Sequence, residues 1–275
     1  MMSFRGRMAR YAASGSKGIA VGRIAWRQQL AYKTDLLLRA SFLLLILFVF
    51  EQLWSAAYGG DTSKVIGGFT LKQIVWYLVF TEALTLAVPP LAARIEEEVK
   101  NGEIAVRLTR PMSYVGYHYA SYMAEAAFRF FVHLAVGGLI AWALVGAPAF
   151  GAGWADLLLL SAGALSILFL LHAIVALSAF WVEETSGMSF VLNKLQFTVG
   201  GMLLPLDLMP EWLQRICAWL PFQAALYFPA RAGVQAHSAD VLRDLAIQIG
   251  WLIALAAIVT WIYRRGVGKL HVNGG

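Results

Sequence analysis

Charged residues are scarce in this chain, and cysteine is nearly absent. Only 14% of its 275 residues are charged, whereas 60% are hydrophobic, and soluble domains carry about 25% charge. A chain with so little polar surface is not an ordinary water-soluble protein. The single cysteine, Cys217, excludes an internal disulfide, a cysteine-based zinc site and a redox pair, and it predicts a small apolar residue.

Catalytic motifs are also missing from the sequence. It contains no Gly-x-x-x-x-Gly-Lys-Ser/Thr phosphate-binding loop, because its Gly268-Lys269 step is followed by Leu270. It contains neither His-Glu-x-x-His nor Gly-x-Ser-x-Gly. We therefore expect no enzymatic activity, no metal and no cofactor in this chain, and in particular no ATP hydrolysis by the chain alone.

The charges that are present give the chain a net charge of +6. In a protein this hydrophobic, Lys and Arg typically lie in cytoplasmic loops and beside lipid headgroups. We therefore expect the basic residues to meet membrane lipids, and we expect no binding of nucleic acid.

Long apolar stretches account for most of the sequence. A helical crossing needs about 20 apolar residues, and six stretches between Leu36 and Tyr263 approach that length. We predict an all-α integral membrane protein with a six-span domain at 36–263, a basic segment at 1–35 and a short tail at 264–275. The predicted spans lie at about 36–58, 73–93, 117–145, 157–182, 188–204 and 246–263.

The distribution of Lys and Arg predicts the orientation. The N-terminal segment, the stretch between the second and third spans, and the C-terminus hold 15 of the 22 basic residues, whereas the opposite side holds 5. Both termini and that stretch are therefore predicted to be cytoplasmic. Within the N-terminal segment, about Ile19 to Lys33 carries basic residues on one side and apolar residues on the other. It predicts a helix in the membrane interface, with a disordered basic tail as the alternative.

A charged insert separates the second and third predicted spans, at about residues 94–112. Such a sequence has no place in a bilayer, so we expect it to face water, where a soluble partner can bind it. Its acidic start favours a helix, which Gly102 would break or bend and Pro111 would end; a solvated loop is the alternative. The insert residues that we single out are Glu96, Glu97, Glu98, Lys100, Gly102, Glu103, Ile104, Arg107, Leu108, Arg110 and Pro111.

Ionisable residues inside the predicted spans form a second group of candidates, because they are costly in a bilayer. Glu125, Arg129 and His133 share one side of the third span, and Glu125 can pair with Arg129. This stripe either lines a substrate route or a contact between protein halves, or it holds helices together, which is the interpretation that we favour. The whole group is Glu51, Glu82, Glu125, Arg129, His133 and His172.

The segment between the fifth and sixth predicted spans, about 205–230, is interrupted by proline. Pro210 and Glu211 suit the start of a helix, and Pro221 ends it after about eleven residues, too few for a crossing. We predict short outer-leaflet or re-entrant helices here. Trp212 and Trp219 would share one face at the interface.

Taken in order, these segments resemble the permease subunits of ABC-2 type exporters, especially a bacterial six-span branch whose members often work as two different permeases. The resemblance covers essentially the whole chain. It is carried by the basic N-terminal segment, the six spans, the insert ending in Arg110-Pro111, the sequence Phe180-Trp181-Val182-Glu183-Glu184, and the motifs Leu203-Leu204-Pro205-Leu206, Met209-Pro210, Trp212-Leu213, Leu220-Pro221-Phe222 and Tyr227-Phe228-Pro229-Ala230-Arg231.

The resemblance implies a type V exporter fold, in which two six-span permeases, identical or different, pair above two separate ATPase subunits that bind ATP and Mg. It implies that residues 94–112 are a coupling helix seated in a groove of the ATPase, and that Glu183 and Glu184 make a second cytoplasmic contact. It also places the N-terminal helix at the inner interface, the hairpin from Leu204 to Pro229 in the outer leaflet, and the protein in a bacterial plasma (inner) membrane. The resemblance does not name the substrate.

Two other functions stay open at this point. A secondary transporter or channel not driven by ATP would predict pseudo-symmetric halves and broken midplane helices, and the sequence offers no convincing repeat and no paired interrupted spans. A membrane-embedded enzyme would use Glu125, His133 and His172, which lack the spacing of a metal motif. An ATP-driven export permease is the function that we expect.

Overall fold

The structure is a computed structural model that describes residues 17–28, 33–61, 63–148, 151, 153–235 and 238–270. Much of the predicted basic segment and the end of the predicted tail lie outside these described residues. The structure is helical over 81% of its residues, in agreement with the predicted all-α class.

The described helices are α1 at residues 17–28, α2 Lys33–Tyr58, α3 Leu71–Leu86, α4 Leu91–Lys100, α5 Glu103–Leu108, α6 Tyr114–Val145, α7 Gly153–Leu177, α8 Ser186–Val199, α9 Glu211–Ala218, α10 Phe222–Ala225, α11 Tyr227–Val234 and α12 Ser238–Leu270. Two short strands, β1 Val65–Ile66 and β2 Phe69–Thr70, form an antiparallel hairpin between α2 and α3. Single 3₁₀ turns follow α7 and precede α9.

Five stretches of the described chain are long and apolar enough to cross a membrane, and they confirm a multi-pass membrane protein: Ser41–Tyr58, Leu71–Lys100, Tyr114–Val145, Gly153–Phe180 and Asp240–Lys269. They correspond to the first four predicted spans and the sixth. The fifth predicted span overlaps α8, whose 14 residues extend only about 21 Å, against a hydrocarbon core of about 30 Å. The count of six spans therefore stays a prediction.

The centre of the helical bundle is formed by α3 and α7. The apolar window of the α3–α4 stretch is 78% buried and that of α7 is 67% buried, whereas those of α2 and α12 are each 17% buried. Helix α7 packs against α4, α11 and α12, and α3 packs against α2, α6 and α11. The apolar side chains on α2 and α12 are therefore left for lipid or for another subunit.

Local sequence sets both ends of α3. Thr70 and Gln73 form a capping box, in which the Thr70 amide donates to Gln73 Oε1 at 2.9 Å and the Gln73 amide donates to Thr70 Oγ1 at 3.3 Å. At the other end Pro89 and Pro90 separate α3 from α4, because proline supplies no amide hydrogen for a helix. Helix α3 therefore ends just before these two prolines, and α4 begins directly after them.

Helix α1 lies alongside the first half of α6. A Cβ placed on Gly22 would lie 3.4 Å from the Cβ of Ala124, and the ring centroids of Trp26 and Phe128 are 4.9 Å apart. The partners advance by four residues on both helices, so α1 and α6 run side by side in the same direction. Glycine makes this close approach possible. The placement of this helix relative to the membrane interface stays a prediction.

The segment between α8 and α12 folds as three short helices. Helix α9 begins directly after Pro210, and α10 and α11 pack into the core against α7. Trp212 and Trp219 are both exposed. Cys217 is fully buried, and burial raises the pKa of its thiol, which fits its interpretation as an apolar residue. The re-entrant placement of these helices stays a prediction.

Candidate functional site

The charged insert forms two short helices, α4 and α5, joined at Asn101 and Gly102. Gly102 has a φ of 72°, a left-handed conformation that glycine adopts without steric cost. A Cβ at Gly102 would meet no atom within 4 Å, so backbone conformation alone favours glycine there. The break that the sequence predicts at Gly102 is present.

The side of the insert that faces the bundle is held by one carboxylate. Glu98, only 7% exposed, accepts a hydrogen bond from the Tyr114 hydroxyl at 2.8 Å and lies 2.9 Å from Arg107 Nε. His118 Nε2 is 3.2 Å from the same carboxylate. We call these four residues the Glu98 hub. Charge-assisted bonds of this kind are about twice as strong as neutral ones.

The Glu98 hub connects the insert to two spanning helices. Tyr114 and His118 belong to α6, and the Tyr114 ring stacks on Tyr263 of α12 with centroids 6.0 Å apart. Arg107 Cζ lies 4.9 Å from the centroid of Tyr117. Burial disfavours the charge of Arg107, but Tyr117 and Glu98 outweigh it and hold the pKa of Arg107 above its usual value. Arg107 therefore stays charged and keeps α5 against α6.

A second connection joins the insert to the turn before α8. Glu96 Oε2 accepts hydrogen bonds from the Thr185 amide at 2.8 Å and the Thr185 hydroxyl at 2.7 Å, and its other oxygen lies 2.6 Å from Lys100 Nζ. Glu183 and Glu184, predicted as a second contact for a partner, flank this turn and are exposed.

The opposite side of the insert is open to solvent. Glu97, Glu103 and Arg110 are exposed, and the apolar side chain of Val106 is 62% exposed. We call these four residues the outer surface of the insert. Lys100 and Pro111 are also exposed, whereas Glu98 and Ile104 are buried and Glu96, Arg107 and Leu108 are half-buried. The insert therefore faces solvent on its outer side and the bundle on its inner side.

A second buried cluster lies between the insert and α6. Arg94 makes two parallel bonds to Glu125, at 2.7 and 2.9 Å, and Arg129 Nη2 lies 2.6 Å from the same carboxylate. Glu125 is 2% exposed and Arg129 is 7% exposed. We call Arg94, Glu125 and Arg129 the Glu125 cluster. The pairing of Glu125 with Arg129 follows from their spacing, whereas Arg94 lies 31 residues away and no local pattern indicates it.

The remaining candidate residues have separate surroundings. His133 is fully buried, and its Nδ1 lies 2.7 Å from the Arg129 carbonyl oxygen. His172 lies 3.4 Å from the Gln196 amide. Glu51 accepts from Gln52 at 2.6 Å. Glu82 is 2% exposed within α3. These residues do not form one site, and in the described parts of the chain no group of three His, Cys, Asp or Glu residues is placed to hold a metal.

Comparison with known proteins identifies a family. A family model described as ABC-2 family transporter protein matches residues 39–274. No curated protein and no solved structure matches the chain.

Proposed function

The chain belongs to the ABC-2 family of transporter proteins, and from this premise we propose that it is the permease subunit of an ATP-driven exporter in a bacterial inner membrane. It pairs with a second six-span permease, and two separate ATPase subunits bind beneath the pair. Those subunits supply the nucleotide and Mg sites, since permeases of this family normally have no catalytic activity. Its termini and the insert lie on the cytoplasmic side.

The observation that carries this proposal is the two-sided insert. Its outer surface offers Glu97, Glu103, Val106 and Arg110 to a soluble partner, a mixture of charge and exposed apolar area that is typical of binding surfaces. Its inner side is bonded to α6 and α12 through the Glu98 hub, and to α8 through Thr185. A partner that moves α4 and α5 therefore moves three helices of the bundle.

The second permease is supported by the helices that this chain leaves uncovered. Helix α2 exposes large apolar residues along its length, among them Leu38, Phe42 and Leu53. Helix α8 exposes Asn193 together with several apolar side chains, and lipid does not accommodate the polar side chain of Asn193. A second copy or a related permease packed against α2 and α8 would cover both faces, as in symmetric membrane dimers.

Docking of the ATPase is tested by charge and polarity changes on the outer surface. We expect Glu97→Lys and Val106→Asp each to weaken capture of the ATPase by about tenfold or more, because each introduces an unpaired charge into the contact. The measurement is the yield of the proposed partner ATPase when it is co-expressed with the permease and purified through a tag on the permease.

The matched control is Glu211→Lys, which reverses an acid on α9, on the side predicted to be extracellular, where the side chain is 86% exposed. This variant is expected to capture the ATPase as well as the unchanged chain does. Equal capture by all three variants would show that the ATPase binds elsewhere, and would remove the main support for the proposal.

A further inference from the structure

A cavity near the insert lies beside α8. It has a volume of about 790 Å³ and is lined in part by the break between α3 and α4. Its walls include Val88 from the break, Phe190 and Phe197 from α8, and Met202 beyond the end of α8, and they are mainly apolar. Two cations, Arg39 from α2 and Lys194 from α8, also line it.

Lys194 places a positive charge among aromatic side chains in the wall of this cavity. Its ammonium group lies 5.3 Å from the ring centroid of Phe190 and 5.7 Å from that of Phe197. Within the described chain, no carboxylate lies within ion-pair distance of this ammonium group. Aromatic faces partly offset the charge of a lysine, but they do not neutralise it.

The acids that line the cavity lie at its other end. Glu96 is bonded to Thr185 and Lys100, and Glu184 accepts from Ser186 at 2.6 Å. Lys194 lies about 13 Å further along the chain direction of α8 than Thr185, within the predicted fifth span. A cation in a membrane span is costly unless an anion accompanies it. The cavity therefore combines partnered acids at one end with a cation beside aromatic side chains at the other.

We propose that this cavity receives an anionic amphiphile as cargo, with its head group beside Lys194 and its hydrocarbon chain along the apolar wall of Phe190, Phe197 and Met202. The inference rests on the proposed transport function and specifies the substrate class. Lys194 supplies the charge that attracts the head group, and Val88 lines the same cavity as the aromatic side chains of α8.

The test measures binding to the full-length permease purified in neutral detergent, without its ATPase, so that it is independent of docking. The probe is dodecyl phosphate, titrated by calorimetry, with dodecylphosphocholine as the zwitterionic counterpart of equal chain length and inorganic phosphate as the chain-free anion. We expect Lys194→Gln to weaken binding of dodecyl phosphate by about tenfold, the loss of one charge-assisted contact. Lys194→Arg retains most of the affinity, and Lys64→Gln, at an exposed lysine in the turn before β1, has no effect.

Each other result contradicts the proposal. If Lys194→Gln binds dodecyl phosphate unchanged, Lys194 does not hold the head group. If dodecylphosphocholine binds equally well, the cavity selects hydrocarbon and not charge, and if inorganic phosphate competes fully, the chain contributes nothing. If Lys194→Gln separates a permease dimer into monomers by size-exclusion chromatography with light scattering, the partner of Lys194 is a second permease and not cargo. The two proposals can fail separately. If the permease does not capture the ATPase but still binds dodecyl phosphate through Lys194, the proposed docking surface is wrong and the proposed cargo site stands.

Discussion

Replacing Glu125 with glutamine is expected to destabilise the protein by about 3–5 kcal/mol, since removal of one partner from a buried ion pair leaves an uncompensated charge. Arg129 is the residue most affected, because its side chain is 9% exposed whereas that of Arg94 is 40% exposed. The measurement is the free energy of unfolding in mixed micelles, followed by circular dichroism as denaturing detergent is added.

The size of this effect decides between the two interpretations that the sequence leaves open for the stripe on α6. If the Glu125 cluster holds helices together, the double variant Glu125→Leu with Arg129→Met should be more stable than either single variant. The only charge that then loses its partner in the cluster is Arg94, whose side chain is 40% exposed and can meet water. Glu211→Gln, at an exposed site, should change stability by less than about 0.5 kcal/mol. A Glu125→Gln protein as stable as the unchanged chain would instead indicate that water reaches Arg129, as expected along a substrate route.

Apolar length was sufficient to predict most of the spanning helices, because a bilayer imposes a minimum length on any crossing. Apolar length predicted that the helix in the fifth span continues to Leu204, whereas α8 ends at Val199. The apolar stretch continues beyond Val199, but Gly201 has a φ of 74° and the helix ends before it. Hydropathy carries no information on backbone conformation. It therefore predicts poorly where a helix ends at a glycine with positive φ.

The two faces of the insert could have been anticipated in part. Leu91, Ile95 and Glu98 follow at the spacing of one helical face and are all buried, so the position of Glu98 indicates an inward carboxylate. Its partners Tyr114 and His118 lie on another helix, 16 and 20 residues further along the chain. Such contacts depend on how α4 and α6 pack, which local spacing does not determine.

The Glu98 hub gives the second large expected effect. Glu98→Gln preserves the shape of the side chain but removes the charge that pairs with Arg107 and that accepts the Tyr114 hydrogen bond. One hydrogen bond to a charged group contributes about 1.5–3 kcal/mol. We expect amide hydrogen exchange in residues 103–112 to accelerate by about tenfold or more, because local opening of α5 then breaks fewer strong contacts. The measurement is exchange followed by mass spectrometry on the intact permease.

Glu97→Gln provides the matched control, since Glu97 is the neighbouring residue on α4 and is exposed, and its exchange should equal that of the unchanged chain. Because Glu98 is turned away from the outer surface, Glu98→Gln should still capture the ATPase while its insert is loosened, so that binding and transmission of movement are separated. Unchanged exchange in residues 103–112 would mean that the bundle holds α5 by apolar packing around Ile104, which is buried. In that case the insert would transmit movement to the bundle through apolar contacts. The charged groups of the Glu98 hub would then only neutralise one another and would not hold α5 in place.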